Sequence, residues 1–220
     1  MVTAFIPLRS GSKSIIDKNI KIFNEKPLCY WALKTCQESK LIDKIIVAID
    51  NENYKTIISS FNFSKVEFYN RQLINAQHSS STESVIIEYL NLNKLESDSK
   101  FVLIQATSPH IKPYEIDDMI NMAKSNKCDI ISCVRIKRFI WSEDGKPINY
   151  NPQQRPRRQN FNGILVENGA VYISSINKIL KSKCRISGNI ETYEMNKESF
   201  IEIDEQEDFF LSELLMKKNN

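Results

Sequence analysis

The 220-residue chain has no C-x-x-C pair among its five cysteines, Cys29, Cys36, Cys128, Cys133 and Cys184. An odd count without a spacing framework argues against a disulfide scaffold and for reduced thiols, read as core fillers, in a reducing compartment. Neither G-x-x-x-x-G-K-[ST] nor G-x-G-x-x-G occurs, which excludes the P-loop and the dinucleotide fingerprint. No apolar run approaches a membrane span, and the first one is too short for a signal peptide, with Arg9 following at once. A cytoplasmic protein is the expectation. Internal repeats and low-complexity segments are also missing. Charge is nearly balanced, with 30 Lys and Arg against 27 Asp and Glu. The net +3 is too weak to indicate nucleic acid and equally suits an acidic small substrate. No activated nucleophile is visible, so no covalent intermediate is expected.

Hydrophobic residues make up 41 %, enough for the core of a single domain over residues 1–220. Short apolar runs at Val2–Leu8, Lys44–Asp50, Val66–Tyr69, Phe101–Ala106 and Asp129–Val134 alternate with helical patterns near Pro27–Ser39, Glu52–Ser60, Glu83–Leu95 and Pro113–Ser125. Pro27 and Pro113 suit first helical turns. Continuous apolar runs suit strands buried on both faces. The alternation predicts an α/β fold: a three-layer, Rossmann-like, mostly parallel sheet with helices on both faces. The pattern breaks after Arg135. Residues 138–167 read as a small protruding arm, with a hairpin turn at "EDGK". Its Phe139, Ile140, Trp141, Ile148, Tyr150 and Phe161 need burial, which points to a partner chain. The main pattern resumes with a strand at "GAVYIS", a helix at Ile176–Lys181, a strand at "SFIEID" and a closing helix at Glu205–Lys217.

The loop "IPLRSGSKSIIDKNI" leaves the first strand, where α/β sheets bind ligands. Gly11 with Ser10 and Ser12 lets backbone N–H groups approach an anion, and Arg9 and Lys18 can supply charge to phosphate oxygens. On composition alone, a solvated basic turn explains the stretch equally well. Glu202 and Asp204 lie two apart on the expected last strand, so they share one face. Two carboxylates at a strand end make a Mg²⁺ site completed by substrate phosphates and waters. The plainer reading is an exposed acidic strand end, with Asp204 capping the last helix. Asp208 is a weaker third candidate.

Four phrases in register resemble acylneuraminate cytidylyltransferases, the CMP-sialic acid synthetase family. They are "IPLRSGSKSIIDKNI", "LIQATSP", "RPRRQNFNGILVENGAVYIS" and "YEMNKESFIEIDEQEDF", and together they span nearly the whole chain. The resemblance implies transfer of CMP from CTP to the anomeric hydroxyl of a nine-carbon 2-keto sugar acid, with release of pyrophosphate. It assigns Arg9, Ser12, Lys18 and Asn19 to the nucleotide-binding loop, and Arg71, Thr82 and Gln105 to the cytidine portion. Glu167, Asn168, Gly169 and Ala170 match the sugar-facing segment. Arg157, Arg158 and Gln159 match the basic segment of a dimer arm, and Asp204 and Glu202 the Mg²⁺ ligands. Arg9, Lys18 and Asp204 are the expected catalytic groups, in an expected homodimer.

Side-chain chemistry agrees. Gln105 has both an acceptor and donors for the N3/N4 edge of cytosine, although it could equally cap the Pro109 turn. Serines 79–81 and Thr82 also suit helix capping. An Arg fork suits a carboxylate or a triphosphate. The sequence departs from the family at Glu202, where Asp is usual, and at His78, where Asp is common. His78 and His110 are read as structural or substrate-tuning. With a further departure at Asn160, these departures leave legionaminic, pseudaminic, KDN and, least of all, eight-carbon acids open as substrates. A non-catalytic nucleotide-binding relative is the rival from a different class.

Overall fold

The computed structural model describes residues 1–77 and 80–219, so His78 and Ser79 lie outside the described residues. The strands are β1 Val2–Pro7, β2 Ile22–Phe23, β3 Lys26–Pro27, β4 Lys44–Ile49, β5 Val66–Asn70, β6 Lys100–Ile104, β7 Asp129–Ile136, β8 Ile164–Ser175 and β9 Ile190–Glu194. The helices are α1 Leu28–Glu38, α2 Glu52–Ser59, α3 Thr82–Leu92, α4 Pro113–Ser125, α5 Ile176–Ser182 and α6 Gln206–Asn219. The main sheet, seven strands among the described residues, has the order β5-β4-β1-β6-β8-β7-β9. All its pairs are parallel except those of β8, which runs antiparallel to β6 and β7.

Residue alternation builds the three layers. On one face Ala4, Ile6, Ile45, Val47 and Val102 pack under α1, α2 and α4, through Leu33, Ile58 and Met119. On the other, Phe5, Ile46, Phe101 and Leu103 pack under α3 and α5, through Ile86, Tyr89 and Ile179. Strands buried on both faces must be apolar at every position, which is why these runs lack polar alternation. A third cluster joins Ile15, Phe23 and Leu28 to Ile203, Phe209 and Met216. It ties the opening loop to the chain's closing segment, nearly 190 residues away.

Strand order reverses between β1 and β6. The chain runs out through β4 and β5, then returns past β1 to β6. Such a switch point opens a crevice beyond the carboxyl ends of the two strands.

Two expectations are corrected, the strand at "SFIEID" and the burial of every cysteine. "SFIEID" is not a strand: Lys197–Phe200 is a 3-10 turn, and Ile201–Asp204 is extended without a sheet neighbour. The Ile203 N–H donates singly to Thr107 O at 2.9 Å. The second edge strand is instead β9, whose "IETYE" is only half-buried on alternate residues. The arm's aromatic rings stack mainly on one another, Phe139 lying 4.2 Å from Tyr150 and 4.7 Å from Phe161 between centroids. The arm is otherwise irregular, with a Trp141–Pro147 bridge closing the "EDGK" turn. Four of the cysteines are buried as core fillers, but Cys184 is exposed.

His110 is buried, its Nε2 2.8 Å from Ser212 Oγ, and so pins α6 to the turn after β6. Burial, and then the Lys112 charge, hold this imidazole below its ordinary pKa of 6.5. The unfolded chain therefore takes up a proton that the folded chain resists, and stability falls as pH drops through 6.5. Urea unfolding at about pH 7.5 and about pH 5.5 should show a loss approaching 1.4 kcal/mol per pH unit from this one group. His110→Gln should flatten that part of the profile. An unchanged slope would remove His110 as its source.

Candidate active site

The crevice at the switch point is a cleft of about 460 Å³ lined by Pro7, Arg9, Arg71, residues 80–83, Val85, Gln105 and Arg185. Pro7 ends β1, and Gln105 follows β6. The Gln105 N–H donates to Ala170 O at 3.0 Å, which fixes the residue at the β6–β8 seam.

The opening loop is held by its own amides. Asn19 is buried, and its Nδ2 donates to Arg9 O at 3.0 Å. Ser10 N–H donates to Asp50 Oδ1 at 2.9 Å. Asn19 therefore shapes the loop from inside. Lys18 leaves a 3-10 turn, Lys18–Ile20, and its Nζ donates to Ile203 O at 2.7 Å and to Asp204 Oδ1 at 3.1 Å. Ser14 Oγ donates to Asp204 O. The cationic loop and the acidic segment thus meet directly. Ser12 is half-buried on the same loop.

Arg71 follows β5, and its Nε donates to Ala48 O at 3.1 Å. Burial lowers its pKa from the usual guanidinium value, Asp50 opposes, and the Arg9 charge adds to the fall. Two cations therefore converge in the cleft, a field that favours an anion. The segment from Gln72 to Asn75 is drawn onto Glu88, whose carboxylate accepts from Gln72 N–H at 3.0 Å, Tyr69 Oη at 2.5 Å and Asn75 Nδ2. Thr82 is the first residue of α3. The cap is Ser81, whose Oγ accepts from Ser84 N–H at 3.1 Å, so the Thr82 hydroxyl is not the helix cap.

Glu202 and Asp204 keep their shared side, with Ile203 buried between them. Burial, and then the Asp204 charge, raise the Glu202 pKa above the usual carboxylate value. Thr107 Oγ1 donates to Glu202 Oε1 at 3.4 Å. Gly169, at φ +68°, makes room for this carboxylate: a Cβ there would lie 2.5 Å from Glu202 Oε2. Two hard oxygen donors whose charges strain against each other fit a magnesium ion that keeps waters and substrate oxygens. Among the described residues no group of three or more His, Cys, Asp or Glu is arranged to hold a metal. The third candidate, Asp208, is engaged otherwise: its Oδ2 accepts from the Asp204 and Glu205 N–H groups at 3.1 and 2.9 Å.

Two further sequence assignments land away from the cleft wall. Asn168 is buried, its Oδ1 accepting from Ser132 Oγ at 2.7 Å and its Nδ2 donating to Ser199 O at 2.9 Å. It positions the 167–170 segment. Glu167 is exposed and accepts a short hydrogen bond from Tyr172 Oη. Arg157, Arg158 and Gln159 sit exposed on the arm, and Arg158 lines a second cavity with Arg138, Lys197 and Phe200 that shares no lining residue with the cleft. Sequence reading missed Asp50, Glu83, Glu88 and Arg185, whose partners are all distant in the chain.

Comparison with known proteins shows the family and the fold. The chain is 32 % identical over 223 residues to N-acylneuraminate cytidylyltransferase of Oncorhynchus mykiss, covering 96 % of this chain and 49 % of that one. It spans about half the length of the N-acylneuraminate cytidylyltransferases that it matches. CMP-N,N'-diacetyllegionaminic acid synthase of Legionella pneumophila is 26 % identical, with 99 % of this chain and 97 % of that one covered. A solved CMP:2-keto-3-deoxy-manno-octonic acid synthetase complexed with CTP shares the fold, with a TM-score of 0.71 at 15 % identity, covering 100 % of this chain and 99 % of the other. The family described as "Cytidylyltransferase" matches residues 3–216. With its loop, its acidic segment and nearly its whole length accounted for, the chain belongs to the cytidylyltransferase family.

Proposed function

We propose that this protein transfers CMP from CTP to the anomeric hydroxyl of a sialic acid-type nine-carbon 2-keto sugar acid and releases pyrophosphate. The observation that carries the reading is the contact of Lys18 with Asp204, which joins a cationic loop to an acidic segment, while the same loop reaches the cleft of Arg71 and Gln105 through Arg9. Arg9, Lys18 and the loop N–H groups hold the β- and γ-phosphates. Arg71, Thr82 and Gln105 hold the cytidine, with the Gln105 amide on the base edge. Glu202 and Asp204 are the side chains that would hold Mg²⁺. When bound, the ion neutralises phosphate oxygens. The sugar hydroxyl attacks the α-phosphorus in line, forming the new P–O bond as the bond to the β-phosphate oxygen breaks and the hydroxyl proton passes to solvent. Arg9 and Lys18 stabilise the charge that develops on the departing pyrophosphate. Catalysis is positioning and charge stabilisation, with no covalent enzyme adduct.

The arm completes the reading. Trp141 and Ile148 are about half exposed on it. In a homodimer they would be covered, and Arg157, Arg158 and Gln159 would reach the partner's sugar end. No described helix is long and apolar enough to cross a membrane, and a reaction that draws on CTP suits the cytoplasm. A second reading, a diacetyllegionaminic-type acceptor, is favoured by the 26 % identity to the Legionella pneumophila enzyme.

The test is pyrophosphate release with CTP, Mg²⁺ and a panel of nine-carbon acids: N-acetylneuraminic, KDN, legionaminic and pseudaminic. Release dependent on both CTP and one of these acids is expected. CTP binding without release from any acid would favour a non-catalytic nucleotide-binding relative.

A further inference from the structure

Two side chains that line the cleft, Glu83 and Arg185, are left unused by the transfer step, and Tyr172 and Glu167 support them from outside its lining. Arg185, in the turn after α5, donates from Nε to Glu83 Oε1 at 2.5 Å. Glu83 sits in the first turn of α3, next to Thr82. The same guanidinium lies 4.9 Å from the centroid of the Tyr172 ring on β8, and Tyr172 Oη donates to Glu167. Arg185 and Glu83 both line the cleft, and their side chains are 23 % and 24 % exposed. Each is pinned, yet each reaches solvent within the cleft.

Position across the sheet tells the two ends of the cleft apart. Arg71 is tied to Ala48 of β4, on one side of the β1–β6 switch point. Tyr172 is on β8, on the other side, with Gln105 between them at the end of β6. The segment proposed to face the sugar, residues 167–170, lies on the same strand as Tyr172, and Tyr172 joins its Glu167 to Arg185, so in the proposed reading Arg185 stands toward the acceptor. The charge there is already met. One guanidinium is flanked by the Glu83 carboxylate directly and by Glu167 through Tyr172, so a second carboxylate on the ligand would be repelled. A guanidinium has five N–H donors, and its fork suits a neutral oxygen acceptor.

We infer that Arg185 is a specificity-determining residue for the acceptor: it donates to a neutral acyl-type oxygen on the sugar, away from the attacking hydroxyl, and Glu83 and Tyr172 hold it in place. The inference rests on the proposed transfer and adds the substituent that this wall selects.

The probes are N-acetylneuraminic acid and KDN, which differ by an acetamido group in place of a hydroxyl on one ring carbon. With the full chain, CTP and Mg²⁺, Arg185→Ala should raise the KM for N-acetylneuraminic acid about 10- to 100-fold, with the CTP KM changed by less than about twofold. The preference for the acetamido sugar over KDN should shrink toward unity. Arg185→Lys keeps a cation opposite Glu83 but loses the planar fork, so it should fold normally and remain impaired on the acetamido sugar. A purely structural role would instead lower kcat for both sugars alike, and that result overturns the inference. So does an unchanged sugar preference in both variants, or a rise confined to the CTP KM. Wild-type protein that neither turns over nor binds any of these acids, measured by calorimetry with CTP present, would remove the transfer reading and this inference together. Turnover that is indifferent to Arg185 removes the inference alone.

Discussion

Asp204→Asn should lower kcat for pyrophosphate release by about 10³-fold or more, the scale of losing a charged group that organises developing phosphate charge. The substitution keeps the shape of the side chain and removes only its charge. Folding should be almost untouched, because the Asp204 side chain is 67 % exposed and its ion pair with Lys18 is a surface-type pair. The loop should also stay in place, since Lys18 Nζ keeps its bond to Ile203 O, and Asp208 still accepts from the backbone N–H groups at the start of α6. CTP affinity should therefore change only a few-fold, as Arg9, Arg71 and Gln105 are all retained. Steady-state pyrophosphate release over a Mg²⁺ titration, read beside a thermal melt and CTP calorimetry, separates these quantities. Near wild-type turnover at saturating Mg²⁺ would remove Asp204 from the site.

The same segment shows what the sequence could and could not disclose. Alternation placed Glu202 and Asp204 on one side of an extended chain, and that relation holds in the structure with Ile203 buried between them. The expected strand does not form, because strandness depends on a neighbour and, among the described residues, the segment makes a single backbone bond to another part of the chain, to Thr107 O. The buried parallel strands were legible, since burial on both faces requires apolar residues at every position. β9 was not: "IETYE" has one face half-covered and reads as loop. The loop's cations stood out because they crowd a dozen residues. Arg185 and Glu83 were invisible because they are 102 residues apart, and each alone is an ordinary surface charge. Glu88 was hidden over a shorter span, since the groups it holds, at residues 69, 72 and 75, lie 13 to 19 residues back, before α3. Asn168 was legible as important but not for the right reason, as a buried amide and a substrate-facing amide look alike in sequence.

Gly163→Ala should destabilise the fold by about 2–5 kcal/mol, the sum of a left-handed alanine and a backbone collision. Gly163 has φ +74°, and a Cβ there would lie 2.1 Å from the carbonyl oxygen of Ile136. That oxygen is backbone, so no side chain can swing aside to relieve the contact. The geometry arises because Ile136 ends β7 and pairs with Ile164, the first residue of β8. The arm's two ends are thus held side by side, and Gly163 is where the returning strand passes closest to the departing one. For a domain of this size the loss corresponds to a melting temperature lower by about 5–15 °C. Gly145→Ala supplies the comparison, because Gly145 has φ +77° at the arm's turn but nothing within 4 Å of the added Cβ. It should lose only the conformational part, about 1–2 kcal/mol. The difference between the two variants isolates the collision, and equal losses would mean that the β7–β8 junction yields. If the junction holds, Gly163→Ala should also shift the arm relative to the sheet. In the proposed homodimer that weakens subunit association, measurable by sedimentation below the melting temperature, whereas Gly145→Ala leaves the anchoring of the arm intact.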